Sequence, residues 1–188
     1  MARLNKAANK LRIIGGRWGG RKLAFPDVAG LRPTPDRVRE TLFNWLQAEL
    51  GGAHCLDLFA GSGALGFEAA SRGAESVTLV ENNSKAVQHL KDNIQLLTAD
   101  ACIVENITAQ QFITNNAKQY DIVFLDPPYQ ADLWGEIATQ LVNNAVLVDN
   151  ALIYIECPSK QDLPDLPKQW QLIKDKKAGD VRYCLFQN

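Results

Sequence analysis

The segment Leu56-Asp57-Leu58-Phe59-Ala60-Gly61-Ser62-Gly63-Ala64-Leu65-Gly66 decides the fold of this chain. It joins a predicted strand, His54–Phe59, to a predicted helix, Ala64–Arg72. Its glycines follow the spacing GxGxxG, which lets the backbone approach a ligand closely. The helix that begins after the loop offers free N–H groups to a carboxylate or a phosphate. The segment therefore predicts a Rossmann-like strand–loop–helix unit.

Strands and helices alternate on either side of this unit. Strands are predicted at His54–Phe59, Ser76–Val80, Ala101–Val104, Asp121–Leu125 and Leu152–Glu156, and helices at Ala64–Arg72, Ser84–Leu97, Ala109–Asn115 and Leu133–Asn143. Strands separated by helices imply a mainly parallel sheet with helices on both faces. Trp170–Asp175 and Asp180–Gln187 are two further strands with no helix between them. We therefore predict an α/β fold with a seven-stranded, mainly parallel sheet that ends in an antiparallel C-terminal hairpin.

The cofactor signals favour S-adenosylmethionine over a nicotinamide cofactor, although the glycine spacing alone fits both. Glu81 ends the second strand and can accept hydrogen bonds from both ribose hydroxyls. Asp57 would repel a pyrophosphate but could bind the ammonium of an aminoacyl tail. Adenine contacts should follow the third strand, where a helix cap at Thr108 is an equally good interpretation. The predicted cofactor-binding residues are Asp57, Phe59, Ala60, Gly61, Gly63, Glu81, Asn82, Asn106, Thr108 and Asp126.

The loop Asp126-Pro127-Pro128-Tyr129 follows an apolar run and leaves a buried strand. Two prolines stiffen it and remove two N–H donors, so that carbonyls and a carboxylate remain as acceptors. Tyr129 adds a flat aromatic face. The loop can hold the amino group of a planar nucleobase while the base stacks, and we predict catalytic roles for Asp126, Pro127 and Tyr129. The alternative is a proline-rich turn with a surface aspartate.

Positive charge is concentrated at the N-terminus. Residues 1–40 carry ten Lys and Arg against three acids, whereas the whole chain has a net charge of −1. This asymmetry indicates a polyanionic partner. Leu11–Ile14 and Lys22–Phe25 are strand candidates on either side of a glycine-rich turn, and Thr34 can cap the helix that follows. The predicted RNA-binding residues are Arg12, Arg17, Trp18, Arg21, Arg32, Arg37 and Arg39.

This turn has a second interpretation. It can be an ordinary hairpin turn with Trp18 folded back on the body of the protein, in place of a surface for looped RNA.

Composition bounds the remaining possibilities. The chain has 188 residues, of which 46% are hydrophobic, so one domain with a substantial core is expected. No apolar run could span a bilayer, and the N-terminus lacks the pattern of a secretory signal. Four widely spaced cysteines, without a CxxC pair, fit reduced thiols in a cytoplasmic protein and not a metal site.

Together these motifs resemble the RsmD family, Rossmann-like methyltransferases that use S-adenosylmethionine to methylate the exocyclic N2 of a guanine in small-subunit (16S) ribosomal RNA. The resemblance runs from about Arg12 to Gln187. It is carried by Ile14-Gly15-Gly16 with Arg21, the segment Arg32–Glu40, the glycine loop, Glu81, Asp126–Tyr129 and the hairpin Lys176–Tyr183. It implies a basic arm and hairpin over residues 1–32 and a methyltransferase domain over residues 33–188.

The resemblance also implies a partner and a mechanism. The partner would be ribosomal RNA within a small-subunit particle or an assembly intermediate, and nothing in the sequence demands more than a monomer. Asp126 and the Pro127 carbonyl would each accept one N–H of the guanine amine and aim its lone pair at the sulfonium methyl. The Asp-Pro-Pro-Tyr signature is shared with adenine-N6 methyltransferases, so an enzyme that acts on adenine in DNA or RNA is the main alternative. A nicotinamide-dependent reductase and a non-catalytic RNA-binding module are further alternatives.

Overall fold

The computed structural model describes residues 9–28 and 33–188 of the chain. In chain order, the elements are β1 (Asn9–Arg12), β2 (Lys22–Phe25), α1 (Asp36–Trp45), β3 (His54–Asp57), α2 (Ala64–Ser71), β4 (Ser76–Val80), α3 (Ser84–Leu97), β5 (Cys102–Glu105), α4 (Ala109–Asn115), β6 (Tyr120–Leu125), α5 (Trp134–Asn143), β7 (Leu147–Pro158), β8 (Gln171–Ala178) and β9 (Val181–Gln187). Short 3₁₀ turns cover Gly16–Trp18 and Tyr129–Ala131.

Seven strands form the central sheet in the order β5-β4-β3-β6-β7-β9-β8. The first five are parallel to one another, and β9 and β8 are antiparallel to their neighbours. The helices that follow β3, β4, β5 and β6 return the chain so that the next strand can pair in parallel. The predicted fold, including the antiparallel C-terminal hairpin, is therefore confirmed.

Two hydrophobic cores cover the two faces of this sheet. The first core joins α1, α2 and α3 to sheet residues such as Val77 and Phe124. The second core joins α4 and α5 to the opposite face, through residues such as Val123 and Ile155. Residues on one strand alternate between the cores because successive side chains point to opposite faces.

β1 and β2 form a separate antiparallel hairpin that packs against the first core. Leu11, Leu23 and Phe25 are buried there together with residues of α2 and α3. The hairpin thus shares its hydrophobic core with the α/β body. The division of the chain at residue 32 stays a prediction, since residues 29–32 lie outside the described part.

Several bounds differ from the sequence prediction, among them those of β1, which lies two residues earlier than predicted, and of β8, which ends at Ala178 and not at Asp175. Strand β7 begins five residues earlier than expected, at Leu147, beyond an irregularity in its pairing with β6. The prediction that Thr34 caps α1 is wrong, because the helix begins at Asp36 and Pro35 occupies the N-cap position without a side-chain hydrogen bond. Thr34 is instead buried, and its carbonyl accepts a hydrogen bond from Arg39 Nε at 3.1 Å.

All four cysteines are buried free thiols, as expected. Burial raises the pKa of each, which keeps the thiols protonated. Within residues 9–28 and 33–188, no cluster of three or more His, Cys, Asp or Glu has a geometry that could hold a metal ion. None of the helices described is long and apolar enough to cross a membrane.

Candidate active site

The neighbouring strands β4, β3, β6 and β7 each bring one carboxylate to the same edge of the central sheet, which we call the carboxyl edge. Asp57 ends β3, Glu81 follows β4, Asp126 follows β6, and Glu156 lies near the end of β7. These strands are parallel neighbours, so their carboxyl ends meet at the same edge. Because β4 and β6 pair with opposite sides of β3, the end of β3 is the switch point at which open α/β sheets bind ligands.

The loop between β3 and α2 depends on glycine for its close contacts. Gly63 has a φ of +79°, and a Cβ at this position would lie 2.4 Å from the ring of Phe67. A Cβ on Gly66 would lie 2.2 Å from the side chain of Leu79. Glycine therefore allows α2 to start directly above the end of β3. The unpaired N–H groups of its first turn consequently lie at the carboxyl edge, where an anionic group could bind.

Phe59 and Ala60 form the inner part of the same loop. The N–H of Ala60 donates to the carbonyl of Val80 at 2.9 Å, which ties the loop to β4. Phe59 is partly buried against the second core. Both residues shape the loop, and their contact with a cofactor stays a prediction.

Two backbone N–H groups fix the Glu81 carboxylate. Gly61 donates to Oε2 at 2.8 Å, and Asn83 donates to Oε1 at 2.7 Å. Each oxygen keeps a further lone pair, and the side chain is only partly buried. An oriented acid beside a glycine loop fits the two ribose hydroxyls of an adenosine-type cofactor. The exposed Asn82 lies next to it.

Asp57 is a buried acid beneath the glycine loop, with an exposed fraction of 2%. Its Oδ2 accepts the N–H of Gly66 at 3.2 Å. Burial raises the pKa of Asp57 to about 7, and the backbone N–H groups of Gly66 and Phe59 oppose this rise. A carboxylate in such surroundings is stabilised by a cation placed against it. The ammonium of an aminoacyl tail fits this requirement.

The two candidates for adenine contact lie in different surroundings. Asn106 Nδ2 donates to the backbone carbonyl of Glu81 at 3.0 Å, which leaves its amide oxygen available at the carboxyl edge. Thr108 is the N-cap of α4 and forms a capping box with Gln111. The capping interpretation of Thr108 is thus confirmed, and its hydroxyl is already engaged in the cap. Of the two, Asn106 retains the polar group that an adenine contact needs.

Asp126 is the carboxylate without a partner. Its side chain makes no hydrogen bond or ion pair with the residues that the structure describes. Burial raises the pKa of Asp126 well above its usual range, and the nearby Glu156 and Asp57 carboxylates raise it further. The adjoining Pro127 is buried and has no N–H to satisfy the carboxylate. The loop therefore offers acceptors that an amine donor would stabilise.

Glu156 is the site residue that sequence reasoning missed. Its exposed fraction is 6%. Its two carboxylate oxygens accept the hydroxyls of Tyr129 at 3.1 Å and Tyr154 at 2.9 Å. Trp134 Nε1 donates to its backbone carbonyl at 2.9 Å. The sequence did contain a signal for Glu156, because it is an acid at the end of an apolar strand. The same pattern had indicated Glu81.

These contacts orient Tyr129 at the entrance of the acceptor loop. Its ring lies 6.0 Å from the ring of Trp134, and the residue is 39% exposed. The hydroxyl is held while one part of the ring stays open to solvent. This arrangement suits stacking against a planar base.

Two predicted RNA-binding residues are buried, and these predictions are wrong. Trp18 is 5% exposed and its side chain belongs to the first core, while its backbone N–H donates to Ser71 Oγ at 2.9 Å. Arg39 is 1% exposed. Its Nη2 lies 2.6 Å from Asp36, and its Nη1 lies 3.5 Å from Glu68. Arg39 is a buried ion-pair partner that RNA cannot reach.

Three exposed arginines contact other parts of the protein. Arg12 pairs with Asp36 at 3.3 Å. Arg17 and Arg21 reach the carbonyls of Thr98 and Leu96 at 3.4 and 3.5 Å, at the C-terminal end of α3. Cations are favourable there because the free carbonyls carry partial negative charge.

The position of this contact separates Arg17 and Arg21 from the acceptor loop. Helix α3 starts at the carboxyl edge after β4 and runs back across the sheet. Its C-terminal end, and the arginines on it, therefore lie at the opposite edge from Asp126. Arg37 is exposed near the start of α1 and has no side-chain partner among the described residues. Arg32 lies outside the described residues.

The sequence matches proteins of known family over almost its whole length. A protein-family model described as "Conserved hypothetical protein 95" matches residues 11–187. Ribosomal RNA small subunit methyltransferase D of Escherichia coli is 47% identical over 183 residues, which is 97% of this chain and 92% of that protein. The protein of the same name from Haemophilus influenzae is 44% identical and covers 97% of this chain and 96% of its own length.

The fold is also that of a solved relative. The structure of the putative methyltransferase yhhF from Escherichia coli superposes with a TM-score of 0.89 at 48% identity, covering 96% of this chain and 98% of that one. Sequence identity at this level, over almost the whole chain, is more than shared architecture. The chain belongs to the RsmD family of Rossmann-like methyltransferases.

Proposed function

We propose that this protein transfers a methyl group from S-adenosylmethionine to the exocyclic N2 amine of a guanine in small-subunit (16S) ribosomal RNA. The observation that carries the proposal is the unpartnered Asp126 carboxylate beside the buried Pro127, at the edge where Glu81 and Asp57 could hold the cofactor. The relatives named ribosomal RNA small subunit methyltransferase D support the choice of substrate.

The residues at the end of β3 and β4 would bind the cofactor. Glu81 would accept the ribose hydroxyls, because Gly61 and Asn83 already orient its carboxylate. Asp57 would pair with the ammonium of the methionine part, and the open backbone of the glycine loop would accommodate its carboxylate. When bound, S-adenosylmethionine supplies an electrophilic methyl on a sulfonium centre.

Asp126 and Pro127 would prepare the amine. An aromatic amine is a poor nucleophile because its lone pair is delocalised into the ring. Two acceptors, the Asp126 carboxylate and the Pro127 carbonyl, would each bind one N–H and favour a tetrahedral nitrogen whose lone pair is directed at the methyl. The raised pKa of Asp126 makes its carboxylate a stronger base, which suits it to take the proton that the amine loses.

Tyr129 and Glu156 would hold the base. The exposed part of the Tyr129 ring would stack on a guanine turned out of its helix or already unpaired. Glu156 fixes this ring through the hydroxyl, so the base would meet a surface that is already oriented. We further propose that the protein works as a cytoplasmic monomer on ribosomal RNA within a small-subunit particle or an assembly intermediate.

Asp126→Asn tests the chemical role of the acceptor loop. The substitution keeps the shape of the side chain but removes the base and replaces one acceptor by an NH₂ donor. We expect methyl transfer to small-subunit RNA to fall by about 10²-fold or more, while S-adenosylmethionine binding measured by calorimetry should change little. Asp132→Asn is the control, since Asp132 is an exposed acid near the same loop. Unchanged turnover of the Asp126 variant would remove Asp126 from the chemistry.

The identity of the base requires a separate measurement. Nucleosides from RNA methylated by the wild-type protein should contain N2-methylguanosine by mass spectrometry. N6-methyladenosine as the only product would support the alternative of an adenine-N6 methyltransferase.

A further inference from the structure

The C-terminal hairpin reaches the carboxyl edge next to the acceptor loop. Across β7 and β9, Glu156 is the register partner of Tyr183, and across β9 and β8, Tyr183 is the partner of Lys176. Neighbouring strands lie about 4.8 Å apart, so the backbone of Lys176 is roughly 10 Å from that of Glu156. Since Glu156 binds the hydroxyl of Tyr129, Lys176 lies close to the point where the base would stack.

Lys174 and Lys176 lie on the same face of this hairpin. Their register partners, Leu185 and Tyr183, both belong to the first core beneath α1. Directly paired residues point to the same face of a sheet. The two lysines therefore lie on the same face of the sheet as the first core, at its outer strand. Glu156 and Tyr154 contact each other on this face. We call Lys174 and Lys176 the lysine pair of β8.

The lysine pair is exposed and has no partner within the part of the chain that the structure describes. Two other cations of the hairpin are engaged. Lys177 donates to the carbonyl of Ser159 at 2.9 Å, and Arg182 contacts Asp175 at 2.6 Å. The hairpin therefore satisfies some of its cations internally and leaves two of them unpaired, on the face that adjoins the candidate site.

An unpaired pair of lysines on a strand is suited to a polyanion. Lysine ammonium groups bind phosphates as mobile point charges and release counterions when they do so. The N-terminal loop cannot serve this purpose next to the acceptor loop, because Arg17 and Arg21 lie at the opposite edge and contact carbonyls of α3. A nucleotide whose base enters the acceptor loop needs neutralisation of its phosphates at the carboxyl edge.

We propose that Lys174 and Lys176 bind the phosphates of the RNA strand that carries the target base, beside the acceptor loop. This inference rests on the proposed function, since it requires an RNA substrate at Asp126. It adds a phosphate-binding surface on β8, far along the chain from the basic N-terminal segment. The surface fixes the strand, whereas Asp126, Pro127 and Tyr129 act on the base.

The test is the double variant Lys174→Gln/Lys176→Gln, with Lys118→Gln/Lys168→Gln as its matched control. The control removes the same charge from exposed lysines that lie before β6 and before β8, at the opposite edge of the sheet. We measure binding to a small-subunit RNA fragment at salt concentrations from about 50 to about 300 mM. Over this range, the affinity of a protein that contacts phosphates depends strongly on salt. Steady-state methylation of small-subunit particles from cells that lack this protein completes the comparison.

Loss of two phosphate contacts should lower the slope of log K against log salt by about 1.4–1.8 in magnitude. KM for RNA should rise, whereas kcat at saturating RNA and the affinity for S-adenosylmethionine should match the wild type. Lys174→Arg/Lys176→Arg keeps both charges and should retain the wild-type slope. The control variant should leave slope and KM unchanged.

Two outcomes would overturn the inference and leave the proposed function standing. In the first outcome, the wild-type protein methylates guanine, but the slope of log K against log salt is the same for the lysine-pair variant as for the control variant. The other is a variant that self-associates in ultracentrifugation but binds RNA normally, which would make the lysines protectors of an edge strand. Absence of guanine methylation by the wild-type protein would instead contradict the proposed function itself.

Discussion

The N-terminal and C-terminal hairpins are both antiparallel and both rich in cations, but the N-terminal turn is bound to buried residues of α2, whereas a Cβ on Gly179 in the C-terminal turn would meet no atom within 4 Å. In the N-terminal hairpin, Arg12, Arg17 and Arg21 contact other parts of the protein. Lys10 and Lys22 of the same hairpin are exposed and have no partner among the described residues. In the C-terminal hairpin, Lys174 and Lys176 are exposed and unpaired among the described residues. The turns of the two hairpins also lie at opposite edges of the sheet. The comparison teaches that an internal partner, and not positive charge alone, decides whether a cation stays available at the surface.

Glu68 explains why the N-terminal hairpin is fixed to the body. It is fully buried in α2, and its carboxylate accepts the N–H groups of Ile14 at 2.8 Å and Gly15 at 2.9 Å. Arg72 Nε donates to it at 2.7 Å, and Arg39 Nη1 lies at 3.5 Å. A buried carboxylate needs this many partners because burial removes its hydration. The turn of the hairpin is therefore held by a charge in the interior.

Glu68→Ala should produce the largest loss of stability. It would leave the buried Arg39 guanidinium without one of its acids and two backbone N–H groups without acceptors. Breaking a buried ion pair in this way lowers the free energy of unfolding by about 3–5 kcal/mol. Urea denaturation measures the loss, and Glu75→Ala, at an exposed acid just after α2, should stay within about 0.5 kcal/mol of the wild type. Equal effects of the two variants would contradict the anchoring role of Glu68.

Gly16→Ala should give the next largest effect and compares the turns of the two hairpins directly. Gly16 has a φ of +73°, and its Cβ would lie 2.0 Å from the backbone carbonyl oxygen of Ser71. The left-handed conformation costs about 1–2 kcal/mol and the overlap about 1–3 kcal/mol. Gly179→Ala is the control in the C-terminal turn, where φ is +61° and no atom lies within 4 Å.

The control should show the conformational cost alone, about 1–2 kcal/mol. Thermal and urea denaturation of both variants measure the difference. Similar losses for Gly16 and Gly179 would mean that the N-terminal turn does not depend on its contact with α2.

Sequence alone predicted the regular part of the fold, because local patterns determine it. The glycine loop and the alternation of strands and helices define the parallel sheet, and the absence of a helix between β8 and β9 defines the C-terminal hairpin. The acids at Asp57, Glu81 and Asp126 were found for the same reason, since each ends or follows an apolar strand. The capping box at Thr108 is likewise local.

The errors about the RNA-binding and site residues concern contacts between distant parts of the chain. Trp18 and Arg39 looked available for RNA because their partners, Ser71 and Glu68, lie in α2. No local pattern states that α2 will lie beneath the N-terminal turn. The role of Glu156 was missed because its importance comes from the placement of β7 beside β6, which brings its carboxylate to Tyr129.

Asp175→Asn should give the smallest effect, since it removes an ion pair that the C-terminal hairpin presents near its surface. Arg182 contacts Asp175 through Nη2 at 2.6 Å and Nε at 3.0 Å, with side chains 18% and 35% exposed. Solvent screens such pairs, so we expect a loss of at most about 1 kcal/mol at neutral pH.

The pH dependence distinguishes this ion pair from a simple packing effect. The hydrogen bond from Arg182 lowers the pKa of Asp175 below its usual 3.8, although burial opposes this. A carboxyl group with a lowered folded-state pKa stabilises the protein fully above its unfolded-state pKa, and the contribution is lost as pH falls through the folded-state value. The stability difference between wild type and variant should therefore be constant from pH 7 to about 5 and shrink below 3.8. If the stability difference instead stays constant below pH 3.8, the C-terminal hairpin does not rely on the charge of Asp175. The C-terminal hairpin would then differ still more from the N-terminal hairpin, which is held by the buried Glu68.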